Sequence, residues 1–150
     1  MIMSFKTDVI FFIVMFLVAF TIDPMNMMVY SSNDLYISKY LILSSLFMAF
    51  NMVWAHQIVH YLSRGHLSKV RFFIGLASSG ALLYIMRTQM FIKPQDWLKE
   101  MIPHHSIAIT TTSRLLKNND ISTKSDIYKL ANTILTTQQN EIITMKNMLK

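Results

Sequence analysis

The chain has 150 residues, of which 53% are apolar and 15% charged, with no cysteine and a formal net charge of +6. That length holds one small domain, or a membrane part with a small appended part, and so apolar a composition favours the second. The lack of cysteine excludes a disulfide framework and any thiolate metal site, and the basic residues form no Lys/Arg block, which argues against nucleic acid as a partner.

Residues 9–22 (VIFFIVMFLVAFTI) form an uncharged apolar run, short of the roughly 20 residues that a full span needs. Extended by Phe5 on one side and by Met25 to Val29 on the other, it becomes a retained anchor. Thr21-Ile22-Asp23-Pro24 lacks the small-residue exit site of a cleaved signal peptide. Asp23 and Pro24 should end this helix, and Ser31-Ser32-Asn33-Asp34 reads as a loop.

The second run, Tyr40 to Leu62, is long enough to cross a bilayer, although its last third carries His56, Gln57 and His60. The third, Phe72 to Met86, reaches Ile92 if Arg87 snorkels to the interface. Gly75, Ala77, Ser78, Ser79, Gly80 and Ala81 cluster in this run, and small residues let neighbouring membrane helices approach closely. Residues 1–92 therefore read as a three-helix membrane anchor in contact with the lipid bilayer.

Orientation follows from the connections. Ser63 to Arg71 holds Arg64, Lys69 and Arg71 with no acid, whereas the first connection holds Asp23, Asp34 and only Lys39. The positive-inside rule puts the second connection in the cytoplasm; three crossings then leave the N-terminus cytoplasmic and everything after Lys93 extracytoplasmic. The C-terminal segment is itself basic, a bias that counts for less in longer segments.

From Pro94 onward hydrophobic density falls and helical periodicity appears. The pattern predicts one helix from about Gln95 to Lys117, bent at Pro103, a stop at Asn118-Asn119-Asp120, and a second helix capped by Ser125 or Ser122 that runs to the C-terminus. The fold class is thus all-α: three transmembrane helices followed, over residues 93–150, by an extracytoplasmic antiparallel helical hairpin.

The stripe of the first tail helix reads Trp97, Leu98, Met101, His104, His105, Ala108, Thr112 and Leu115. That of the second reads Ile127, Leu130, Ala131, Ile134, Gln138, Glu141, Met145, Met148 and Leu149. An antiparallel pairing brings His104, His105 and Met101 level with Glu141 and Met145. Imidazole, carboxylate and thioether together suit a copper ion, with zinc as the alternative. The same layer also reads as purely structural, with Glu141 and Gln138 hydrogen-bonding the histidines and the methionines filling gaps.

Weaker candidates are His56 and His60 at i, i+4, with His66 nearby, and the methionines Met25, Met27 and Met28. Asn51 in the second span suits a bond to a neighbouring helix. Too few ionisable groups lie within the spans for transport, and no nucleophile with a base and an orienter can be assembled, so an enzyme is not expected.

The tail resembles the family called domain of unknown function 305. The resemblance rests on Trp97, Met101-Ile102-Pro103-His104-His105, Ala108-Ile109, Ala131, Gln138, Glu141-Ile142, Met145 and Leu149. The upstream part is similar to that family's membrane-anchored branch, with three hydrophobic helices and Arg87-Thr88-Gln89 as an Arg-x-Gln after the third. This resemblance implies a ferritin-like helical arrangement and copper binding outside the cytoplasm. Ser106-Ile107 stand where many soluble members carry Gln-Gly, and the Glu-x-x-His pairs of di-iron sites are absent from the sequence.

The expected function is that of an integral membrane protein whose extracytoplasmic hairpin binds metal for sequestration or sensing. It should self-associate as a homo-oligomer, because one hairpin makes an incomplete core. The competing expectation is a membrane scaffold or interaction module in which the His/Glu layer only fixes helix register.

Overall fold

Side chains that are apolar all round a helix leave no stripe to bury against a small core and suit a lipid environment instead. α1 (Phe5–Thr21) has this character, with Ile10, Ile13 and Leu17 all exposed. α3 (Lys39–Arg64) and α4 (Lys69–Arg87) share it through Val59, Phe73 and Tyr84. Three helices are long and apolar enough to cross a membrane: Lys6–Met27, Lys39–Arg64 and Lys69–Arg87. The first of these stretches is interrupted near Asp23, and Pro24 opens a separate short helix, α2 (Pro24–Met27), as its fixed φ favours. The computed structural model describes residues 5–118 and 121–150, and among these every regular element is helical.

The third apolar helix stops at Arg87 and does not continue to Ile92. Gln89 and Phe91 adopt φ of 54° and 67°, left-handed backbone that a right-handed helix cannot absorb. The Gln89 side-chain amide donates to the Met86 carbonyl at 2.8 Å and ties down the exit.

Of the small residues clustered in α4, Gly75 and Ser79 are buried, whereas Ala77, Gly80 and Ala81 are exposed. α3 contributes the buried Ser45 and Ala49. The two serines donate to carbonyls of their own helices, Ser79 to Gly75 at 2.8 Å and Ser45 to Leu41 at 2.7 Å, so they are buried without needing a partner across the interface. Asn51 likewise stays within α3, accepting from the Trp54 indole at 2.9 Å. Buried Gln57 accepts from the Ser68 amide at 3.4 Å in the α3–α4 turn, and Asp8 of α1 pairs with Arg71 of α4 at 2.9 Å.

The remaining elements form a second unit. α5 (Pro94–Asn118) packs against α6 (Asp126–Met148) around Leu98, Ile102, Ile109, Ile142 and Met145, with Tyr36, Met101, Leu135 and Leu149 against them. Ser125, not Ser122, caps α6 by accepting from the Tyr128 amide at 3.2 Å. α5 ends at Asn118; Asn119 and Asp120, expected as part of the stop, lie outside the described residues.

The division expected between residues 1–92 and 93–150 differs in one segment: Pro24–Ser38 belongs with Lys93–Lys150. Far from being a free loop, this strap carries a 3-10 turn at Ser32–Asp34 and sends Asp34 into the second unit, where it is 4% exposed. There the Asp34 carboxylate accepts from the Ser106 hydroxyl and from the Lys146 ammonium, each at 2.5 Å. The Tyr30 amide donates to the same Ser106 oxygen at 2.7 Å. A buried carboxylate is tolerated only with such partners, so these contacts define where the strap sits.

A Cβ built on Gly75 would lie 2.9 Å from the Trp54 backbone nitrogen, whereas one on Gly80 meets nothing within 4 Å. Gly75→Ala should therefore destabilise the detergent-solubilised chain by about 1–3 kcal/mol, as overpacking does, despite the better helix propensity of alanine. Gly80→Ala should leave the melting temperature unchanged or slightly raised. Thermal unfolding of the two variants side by side checks the α3–α4 contact.

Candidate functional site

Successive residues of an α-helix point about 100° apart, so neighbours in sequence face different flanks. On α5, Ser106 meets the strap while His105 turns to the other side. On α6, Lys146 meets the strap while Met145 turns away in the same sense. The helix pair thus has one flank closed by Pro24–Ser38 and one flank open.

The open flank holds a cavity of about 350 Å³ lined by Trp97, Leu98, Met101 and His105 from α5 and by Glu141, Thr144, Met145 and Met148 from α6. Four of the five residues expected to form a metal site therefore line one cavity: Met101, His105, Glu141 and Met145. His104 does not. It is exposed and outside the lining, its ring centroid 6.1 Å from that of His105. Met148, a third thioether, takes part instead.

His105 Nδ1 lies 2.9 Å from Glu141 Oε2, yet the approach misses the direction of a proper hydrogen bond, so this buried nitrogen is left without one. Glu141 is also reached by the Gln138 amide, at 3.4 Å within α6. Burial lowers the His105 pKa; the Glu141 carboxylate opposes that shift without reversing it. The shift favours the neutral ring, the state in which imidazole is a donor to a metal.

A soft ion fits what lines this cavity: three thioethers, an imidazole nitrogen that is buried and lacks a directed partner, and one carboxylate. Among the described residues no group of three His, Cys, Asp or Glu side chains gathers, so a site built only from nitrogen and carboxylate oxygen is not present there. His56 and His60 stack edge to face with ring centroids 5.7 Å apart, and His56 also packs on Phe11 at 5.2 Å, a contact that an apolar helix bundle uses without any ion. Glu100 is half-buried with its Oε2 unpaired, and burial raises its pKa, but it lies outside the cavity lining.

The strap residues Tyr30 and Asp34, with Ser106 and Lys146, were not singled out from the sequence as a constellation. One signal was present. Ser106 falls between Ile102 and Ile109 on a row otherwise apolar, where an unpaired hydroxyl is costly, and the structure buries it completely.

The depressed His105 pKa has a sign that can be tested. A folded state that holds the ring neutral loses stability as pH falls below the unfolded value of about 6.5 and down to the folded one, because only the unfolded chain gains a proton across that window. Glu100, shifted upward, acts in the opposite sense at lower pH. The difference in stability between the wild type and His105→Asn should therefore shift against the wild type as pH is lowered from 7.5 to 5.5, measured by denaturant unfolding at each pH.

The Domain of unknown function (DUF305) family matches residues 86–149. An uncharacterized protein of Acanthamoeba polyphaga mimivirus is 32% identical over 136 residues, which covers 88% of this chain and 84% of that protein. No solved structure matches the chain. The similarity to the mimivirus protein runs through the apolar helices as well as the tail, so the chain belongs to the same family as that protein, with a DUF305 domain at its C-terminal end.

Proposed function

We propose that this chain is an integral membrane protein whose DUF305 hairpin binds copper on the extracytoplasmic side, for sequestration or sensing. The observation that carries the reading is the cavity that Met101, Met145 and Met148 line together with His105, whose buried Nδ1 has only the poorly directed contact with Glu141. Thioether and imidazole together suit cuprous copper better than zinc, which prefers nitrogen, thiolate and carboxylate ligands. Bound there, the ion would be held by His105 and the thioethers, with Glu141 beside them to offset its charge.

Topology is supported from two directions. The basic connection around Arg64, Lys69 and Arg71 suits the cytoplasmic face. Independently, the strap joins the first two apolar helices and shares one folded unit with the tail, which favours the reading that both lie on one side of the bilayer. Three crossings fit that reading, since the first connection and the segment after the third span then emerge together.

Trp97 and Met148 flank the cavity while remaining 48% and 66% exposed. We take this open flank as the face on which a second hairpin would complete a four-helix, ferritin-like arrangement. A scaffold without metal is the second reading, favoured by the engagement of Glu141 by both His105 and Gln138, which together form a polar layer.

Titration of the purified full chain with cuprous ion against a chromophoric chelator separates the two. The metal reading predicts one ion per chain, with affinity falling at least about tenfold in His105→Ala and in Met101→Leu/Met145→Leu, and much less in His104→Ala. Equal uptake by all of these proteins, or none by the wild type, would leave the scaffold reading standing.

A further inference from the structure

We infer that the strap Pro24–Ser38 and the open cavity are thermodynamically linked, so that docking of the strap on one flank sets the affinity of the other flank for its ion. This rests on the copper reading of the cavity and adds its regulation.

The linkage comes from two pairs of consecutive residues. Ser106 accepts from the Tyr30 amide and donates to Asp34, while His105, one position earlier, lines the cavity. Lys146 donates to Asp34, while Met145, one position earlier, lines the cavity. A single carboxylate therefore bridges α5 through Ser106 and α6 through Lys146, which adds to the core packing a restraint on how far each helix rolls about its own axis.

Because neighbours on a helix are locked about 100° apart, any roll that releases Ser106 or Lys146 from Asp34 swings His105 or Met145 by the same angle. The docked arrangement is the one in which His105 and Met145 share a cavity with Met101 and Glu141. Release of the strap removes one of the constraints that keep them there, beside the core of Ile102, Ile109 and Ile142 between the two helices. An ion that needs donors from both helices binds the docked state better, and linkage then requires the ion to favour docking by the same factor.

The strap is also the connection between α1 and α3. Its docking is therefore open to influence from the ends of both helices, and a change there has a direct covalent route to the cavity. This is the arrangement a sensor needs: a site whose affinity reports on, and acts on, the segment joining two membrane helices.

The test uses the full chain in lipid nanodiscs, cuprous ion buffered by a competing chelator, and hydrogen exchange at the Tyr30 amide and along residues 28–34. With wild type, adding the ion should slow exchange in the strap, Tyr30 above all. Asp34→Asn, which removes the charge that holds Lys146, should speed strap exchange and weaken cuprous binding by about tenfold, within the usual range of coupling between sites. Binding of the ion by wild type with strap exchange unchanged would overturn the linkage while leaving the copper reading intact, as would equal affinity in wild type and a folded Asp34→Asn. Failure of wild type to bind the ion at all would overturn both. Should Asp34→Asn not fold, the exchange measurement on wild type alone decides.

Discussion

A carboxylate removed from water must find a cation or hydrogen-bond donors, and Asp34 finds them on two different helices. Much of the C-terminal unit follows from that constraint. It turns the connection between α1 and α3 into a structural element, it fixes which side of α5 and α6 is closed, and by elimination it leaves the other side open. Breaking such a pair by removing one partner costs far more than the pair itself adds, so the contact specifies the arrangement more than it strengthens it.

The open flank has the opposite chemistry. Its lining is largely thioether and apolar, its one carboxylate is nearly half exposed, and burial lowers the pKa of its imidazole. Thioethers lose little on leaving water, so Met101, Met145 and Met148 can line a cavity without polar partners. A nitrogen or carboxylate cage would need pairing in the absence of an ion. The contact between His105 and Glu141 is a compromise of that kind, close in distance but poorly directed.

Much of this was legible in the sequence where periodicity carries the information. The positions of α3, α5 and α6 followed from apolar runs and caps, and seven of the eight cavity residues, all but Thr144, lie on the helical stripes. Two features were hidden for physical reasons. Which face of a helix pair is inner depends on what covers its flanks, and the strap, an acid-bearing polar stretch between apolar runs, has the composition of a solvated loop. With the strap in place the core centres on Ile102, Ile109 and Ile142, and His104 lies outside it. The end of α4 was hidden too, since left-handed backbone at Gln89 and Phe91 has no glycine to announce it.

The most direct measurement is a double-mutant cycle on the stability of the full chain, using Asp34→Asn, Lys146→Met and the pair, followed by denaturant unfolding of the C-terminal helices. The account predicts a coupling energy above about 1 kcal/mol, as for contacting charges that are largely buried. Additive effects, with no coupling between residues 112 positions apart in sequence, would mean that the strap is not anchored there.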